Sequence, residues 1–244
     1  MLESTKEAIT STIKMGKVGV AFSGGVDSAL LAKMCHDMKY DVVLLTIGFK
    51  DAHDIEHARL VNERLQYIHH IHEIDADSFL DVSDRVRKSV PSESLSWIEN
   101  GIAFYYIAQL AKSNGIRTVA AANGIDELFC GYDAYRREYH MGMQHLLEMM
   151  DKKVQNELDM MDVIRGMSLE FGVDLVQPFL SAGFIKHARK VPMREKITGP
   201  EDVYRKHSIR GLARDVGVPD ISHTKRKKAL QYGSGIHRML RSLS

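Results

Sequence analysis

The sequence predicts an α/β protein: a parallel sheet of about five strands flanked by helices, with a helical C-terminal extension. Three observations predict it. Nearly continuous apolar runs at residues 18–22, 41–49 and 117–122 have the pattern of strands buried on both faces. Stretches of helical periodicity separate these runs, and strand–helix alternation implies parallel pairing through right-handed crossovers. A turn of sequence Ser23-Gly24-Gly25-Val26-Asp27-Ser28 joins the first run to the first crossover helix. In such a sheet, ligands gather at the carboxyl ends of strands, which here are Phe22 and Gly48.

The elements follow in order. Residues 2–15 read as an amphipathic packing helix with Leu2, Ala8, Ile9 and Ile13 on its apolar face. After the first strand and the glycine turn comes a helix through Leu30, Leu31 and Met34. The second strand, residues 41–49, leads through a polar link at 50–54 to a helix with Ile55, Ala58, Val61 and Leu65 on one face. Residues 68–74 form the third strand. Its alternation places His70 and His72 on one face and His69 on the other, and two ligands without a third partner make a poor metal site. A helix over about 76–89 ends before Pro91. A long helix over 94–113 closes at Gly115, and its aromatic residues read as core. Residues 117–122 form the fourth strand. Beyond it the chain reads as helical, with a methionine-rich stretch over 139–166 suited to adaptable packing. Residues 1–244 read as one domain, with a nucleotide-binding core over 1–135 and a mostly helical part over 136–244 that returns to the site.

Composition narrows the function classes. The 244 residues carry a net charge of +1, which points to neither DNA nor membrane. Residues 201–244 hold ten Lys and Arg against four Asp and Glu, so this segment is +6 and the remainder −5. Cys35 and Cys130 make no disulfide framework and no C-x-x-C pair. With no signal-peptide pattern and no long apolar run, the chain reads as cytoplasmic.

Two stretches carry chemistry. The glycine turn leaves backbone N–H groups at a helix N-terminus, a ready anion site. Its glycines allow close approach of a phosphate, Ser23 and Ser28 add hydroxyls, and Asp27 can hold a cation that bridges phosphates. It is not a Walker A loop, because it lacks the G-x-x-x-x-G-K-[ST] pattern. The second stretch, Asn123-Gly124-Ile125-Asp126-Glu127, stands at the end of the fourth strand. Asp126 there can complete a cation site with Asp27, and it is also placed as an ordinary helix cap. The basic tail at 225–228 has three readings: a solvated face, an RNA contact, or a segment folded back onto the site.

The S-G-G-V-D-S string resembles the PP-loop of the ATP pyrophosphatases, which split ATP into AMP and pyrophosphate. The ordered set of motifs resembles the synthase domain of asparagine synthetase. It comprises Thr46-Ile47-Gly48-Phe49 with Asp54, then G-I-D-E-L-F-C-G-Y from Gly124, then Gln177-Pro178-Phe179-Leu180. Lys206-His207-Ser208-Ile209-Arg210, and Arg226-Lys227-Lys228 before Gln231-Tyr232-Gly233, complete it. Together they span roughly residues 17–236.

This resemblance implies an adenine nucleotide α-hydrolase-like fold and an AMP-forming carbon–nitrogen ligase using ATP and Mg²⁺. Ser23, Gly24, Gly25, Asp27 and Ser28 would hold the ATP pyrophosphate, and Asp27 and Asp126 the metal. Ala21, Ile47, Gly48, Phe49 and Ala122 would line the adenine. Lys228 would be the principal catalytic cation and Lys206 a second. Asn123, Gly124, Glu127, Asp162 and Arg165 would face a small-molecule carboxylate substrate. The departures are Asn123 where the family has Glu, Val176 and Ser181 where Arg and Asp flank P-F-L, and Glu99 near a family Arg. Position 2 is Leu rather than the catalytic Cys of glutaminases, and about 16 residues precede the first strand. Nitrogen is therefore expected from ammonia, an amine, or a separate glutaminase subunit. A tRNA-modifying PP-loop enzyme that adenylates a nucleobase carbonyl is the alternative. A tRNA partner and a homodimer stay open.

Overall fold

The computed structural model describes residues 1–223 and 230–242. Lys228 and the rest of the basic cluster at 225–228 therefore lie outside the described residues.

Five strands form one sheet in the order β3-β2-β1-β4-β5, every neighbouring pair parallel. They are β1 Lys17–Ala21, β2 Asp41–Gly48, β3 Ile68–Glu73, β4 Thr118–Ala120 and β5 Asp174–Val176. Helices α1 Leu2–Thr12, α2 Val26–Asp37, α3 His53–Leu65, α4 Ala76–Ser89 and α5 Leu95–Ser113 fill the first half. The second half contributes α6 Ile125–Leu128, α7 Asp133–Arg137, α8 Met143–Leu169 and α9 Ala182–Lys190, then α10 His207–Asp215, α11 Asp220–His223, α12 Leu230–Gly233 and α13 Ile236–Ser242.

The sheet separates two cores. In β2, Val42 and Leu44 face one core with α1, α2, α9 and α10, while Val43, Leu45 and Ile47 face the other with α4, α5, α8 and α13. Both faces of the strand are buried, which is why its sequence reads as a run and not an alternation. Each fully buried Val, Leu or Ile contributes about 1.5–3 kcal/mol, so neither face tolerates a polar strand residue without a partner. Helix α5 packs against α4, α8, β2, β3, α12 and α13. A helix enclosed this way is apolar all round, and Phe104 and Tyr106 are core as expected.

Several sequence expectations shift. Leu2 is 38% exposed and lies off the apolar face of α1. The helix expected over 139–166 starts at Met143 and runs to Leu169. Met150, Met160 and Met161 pack in the cores, whereas Met141 and Met143 are exposed. β5 interrupts a segment expected to be helical. Three residues are too few to show a period, and β5 exists through pairing of Thr118 with Asp174, Val119 with Leu175 and Ala120 with Val176.

The topology selects where a ligand lies. The chain builds β1, β2 and β3 outward in one direction, then returns to place β4 on the other side of β1. Loops leaving β1 and β4 diverge at that reversal, and a crevice opens at their carboxyl ends.

Candidate functional site

The crevice is a cavity of about 720 Å³. Its floor is Ala21, Leu45, Ile47, Phe104, Ile107 and Ala122. One end holds the glycine turn with Asp27, Asp126, Lys206, Arg210 and Ser222. A second polar group on its lining is Asn123, Glu127, Tyr132, Lys153 and Glu157.

The glycine turn is built as its residues require. Gly24 has φ +74°, and a Cβ there would stand 3.0 Å from the His57 carbonyl oxygen. Gly25 is the N-cap of α2 and supplies no side-chain cap, so the first-turn N–H groups of a 12-residue helix stay open to an anion. Ser28 Oγ donates to the Gly25 carbonyl at 3.2 Å and accepts from the Ser23 N–H at 3.3 Å, closing the turn on itself. Gly24→Ala is expected to cost about 1–3 kcal/mol through left-handed strain and the clash with α3. A thermal melt would show it as a drop of several degrees.

Lys206 meets this turn from the far half of the chain. Its side chain is 1% exposed, and its ammonium lies 2.6 Å from Asp27 Oδ2 and 2.7 Å from Asp126 Oδ1. Burial draws its pKa down, and the charge of Asp27 opposes that shift. Arg205 and Lys206 both have left-handed backbone, with φ +47° and +53°. A collar around Asp202 holds this strained pair: the carboxylate accepts from the N–H groups of Thr198, Tyr204 and Arg205, and from His207 Nε2 at 2.6 Å. These bonds carry the Asp202 carboxyl down to about 2, against the opposing effect of burial.

Asp126 is not the helix cap that its position had allowed. Gly124 stands at the N-cap of α6 with φ +103°, and Glu127 Oε2 accepts the Gly124 N–H at 3.1 Å. The Asp126 carboxylate turns instead toward Lys206, over Gly131. Asp27 Oδ1 is buried without a hydrogen-bond partner among the described residues. Hard carboxylate oxygens with spare coordination suit Mg²⁺, which takes few protein ligands and completes its shell with phosphate and water. Among the described residues, no group of three or more His, Cys, Asp or Glu is placed to hold a metal ion. His69 bonds Thr46 at 2.8 Å and is held near pKa 4 chiefly by burial; His72 stacks on Tyr106.

The polar group around Asn123 contains residues that sequence reasoning missed. Glu157 Oε1 accepts from Asn123 Nδ2 at 2.6 Å, across 34 residues of chain. Tyr132 donates to Glu127 Oε1, and Lys153 lies 4.8 Å from the centre of the Tyr132 ring. Burial, then repulsion from Glu157, pushes the Glu127 carboxyl up to about 8, and burial raises Glu157 too. Two desolvated, mutually repelling carboxyls retain a proton between them at neutral pH. A signal for Glu157 was present: it falls in the buried stripe of α8 with Met150, Val154, Met161 and Ile164, at helical spacing, where a carboxylate has no place without a partner.

Ser23, Gly25, Asp27, Ser28, Ala21, Ile47, Ala122, Asn123, Asp126, Glu127 and Lys206 all line the same cavity. Four other expected positions do not. Phe49 packs on Phe79 at 5.2 Å in the core with α4, and a Cβ on Gly48 would meet Ala52 at 3.0 Å and Ile55 of α3 at 3.3 Å, so neither lines the cavity. Asp162 is exposed, and Arg165 bonds Asp174 at 2.9 Å at the opposite end of the sheet. Gly24 and Gly124 act through backbone shape. Glu99, where a family Arg was expected, is buried against His237 of α13 at 2.5 Å.

An uncapped helix at a switch point, faced by a buried lysine and two carboxylates, defines a parallel α/β protein with a site built to receive an anion. Residues 3–170 match the family model described as asparagine synthase, and the chain belongs to that family. A putative glutamine-hydrolysing asparagine synthetase of Methanocaldococcus jannaschii is 28% identical over 93% of this chain and 47% of its own length. A probable asparagine synthetase of Dictyostelium discoideum is 25% identical over 80% of this chain and 38% of its own length. The chain thus spans less than half the length of these relatives. The structure of NMN synthetase from Francisella tularensis superposes with a TM-score of 0.49 at 15% identity, covering 94% of this chain and 76% of that one; so loose a match adds nothing to the fold described above.

Proposed function

We propose that the protein adenylates a carboxylate substrate with ATP, releasing pyrophosphate, and then forms an amide with ammonia or an amine. The observation that carries this reading is the convergence of Asp27, Asp126 and Lys206 beside the glycine turn, in one cavity with a separate polar acceptor end. A carboxylate is a poor electrophile, because its leaving group would be oxide. Attack of its oxygen on the α-phosphorus of ATP breaks the bond to pyrophosphate and converts that oxide into AMP, a good leaving group.

The chain's residues divide the work. The open N–H groups of α2, with Ser23 and Ser28, receive the pyrophosphate. Lys206 and Arg210 face the charge that grows on it as it leaves. Asp27 and Asp126 would hold Mg²⁺, which would supply positive charge to offset part of that developing on the phosphates. Ala21, Leu45, Ile47 and Ala122 offer an apolar bed for adenine. Lys228 is assigned the principal catalytic role by family resemblance alone. Glu157 and Glu127 stand at the acceptor end, where an ionised carboxylate of the pair would take the proton lost by the attacking nitrogen. Asn123, which cannot act as a base, would instead orient Glu157.

The test is product analysis of ATP turnover with Mg²⁺ and ammonium across a panel of carboxylates, amines and bulk tRNA. AMP and pyrophosphate appearing with one carboxylate is the expected result. The same products appearing only with tRNA would move the protein to the RNA-modifying class. ADP and phosphate would overturn the mechanism. In the active assay, Glu157→Gln is expected to lower kcat by about 100-fold, the usual scale for a lost general base, while ATP still binds. Unchanged amide formation would remove Glu157 from the proton-transfer role.

A further inference from the structure

We propose that Lys206 is the resident cation of the Asp27–Asp126 pair, and that its ammonium bars a divalent metal from these carboxylates until a nucleotide draws it away. The proposal rests on the phosphate-binding reading of the glycine turn and concerns the state before that ligand arrives.

The geometry carries it. The Lys206 ammonium is within 2.7 Å of an oxygen from each carboxylate and so joins the two. A divalent ion coordinated by both residues would compete for those same oxygens. The backbone of the lysine is fixed, so its ammonium stays within reach of this corner of the cavity. Its backbone is left-handed, its N–H donates to the Lys196 carbonyl at 2.6 Å, and the Asp202 collar fixes the residues on either side. Among the described residues, Asp27, Asp126, Lys206 and Arg210 sum to no net charge, and Arg210 acts on Asp27 from the same cavity. Adding a metal ion alone would leave an uncompensated double positive charge in a largely buried cluster.

A nucleoside triphosphate changes the balance. Its phosphates bring several negative charges to the glycine turn, next to the lysine. The ammonium can then turn from the carboxylates to phosphate oxygens while the metal takes the carboxylates. Asp27 Oδ1, buried and without a hydrogen-bond partner among the described residues, gives the incoming metal an oxygen that the lysine does not use. Metal and nucleotide affinities are therefore coupled, and the coupling is reciprocal.

Mn²⁺ is the probe, followed by electron paramagnetic resonance of the free ion at equilibrium. Wild-type protein without nucleotide is expected to show no saturable Mn²⁺ site at millimolar metal. With α,β-methylene-ATP, one site appears whose affinity is at least tenfold above that of Mn²⁺ for the analogue alone, and Asp126→Asn removes that gain. Lys206→Met should take up Mn²⁺ without nucleotide, at least tenfold more tightly than wild type. Saturable binding of Mn²⁺ to nucleotide-free wild type that Asp126→Asn abolishes would overturn the proposal. So would a folded Lys206→Met protein with wild-type metal behaviour. Should Lys206→Met not fold, the wild-type and Asp126→Asn titrations decide the matter. An analogue that fails to bind under any condition overturns the nucleotide reading instead, and leaves the nucleotide-free arms to judge Lys206.

Discussion

Gly131→Ala is expected to lower AMP formation by about 100-fold, the scale on which a displacement of about 1 Å at a reacting group is felt. A Cβ on Gly131 would stand 1.7 Å from Asp126 Oδ1 and 2.8 Å from the Asp126 Cα. Side chain and backbone of Asp126 are both in the way, so a rotamer change alone does not relieve the overlap. The loop cannot retreat either. The Gly131 N–H donates to the Asp126 carbonyl at 2.8 Å, and the Gly131 carbonyl accepts two bonds from the Arg205 guanidinium, at 3.1 and 3.3 Å. The methyl group would therefore push the Asp126 carboxylate off Lys206. Gly131 does not have a positive φ, so any loss is steric and not backbone strain. Gly166→Ala in α8 is the matched control, because a Cβ there meets nothing within 4 Å and alanine favours a helix by about 1 kcal/mol over glycine. The measurement is pyrophosphate release in both variants. Turnover of Gly131→Ala within twofold of wild type would show that the position of Asp126 does not matter to the reaction.

Lys196→Met is expected to stabilise the protein by about 2 kcal/mol near pH 6.5, raising Tm by roughly 4–8 °C. Lys196 is 1% exposed, its ammonium lies 3.8 Å from the Met150 sulfur and 5.4 Å from the centre of the Phe129 ring, and no ion pair holds it among the described residues. Burial lowers its pKa from 10.5 to about 8. At 1.36 kcal/mol per unit, confining the charged form costs about 3 kcal/mol, and losing the cation–π contact returns about 1 kcal/mol. The sign with pH follows from proton binding. Between pH 8 and 10.5 the unfolded chain holds a proton on this lysine that the folded chain lacks, so wild-type stability rises across that window. Below pH 8 the full cost is present. The stability gap between Lys196→Met and wild type should therefore narrow from pH 8 to 10.5 and close above it. Denaturant melts at pH 6.5, 9 and 10.5 would check this, and a variant less stable than wild type at pH 6.5 would refute the account. The Lys196 carbonyl that holds the Lys206 N–H belongs to the backbone, so the substitution keeps it.

The glycine turn, β1, β2 and the long helix α5 were legible because their causes are local. A strand buried on both faces must be apolar throughout, and a turn that receives an anion at a helix N-terminus must spare its N–H groups and its Cβ. Asp27 and Asp126 could be read as partners because both follow strand ends, and parallel strands gather those ends on one edge. Lys206 came from an ordered resemblance. What no local pattern held was the meeting of distant polar groups. Glu157 looked like one more residue of a methionine-rich helix until α8 laid it against Asn123 at 2.6 Å. Asp162 and Arg165, on the same helix, were expected at the site and point away from it. Gly48 and Phe49 end a strand that reaches the cavity, yet neither lines it: a Cβ on Gly48 would meet Ala52, and Phe49, in the same core as Ile47, lies beyond the cavity against Phe79. Sequence determined which segments are buried and where an anion can be received. The packing of α8 and α10 across the sheet decided which charges face each other there. Burial patterns arise between residues a few positions apart, whereas charge pairing in a core depends on how whole helices dock.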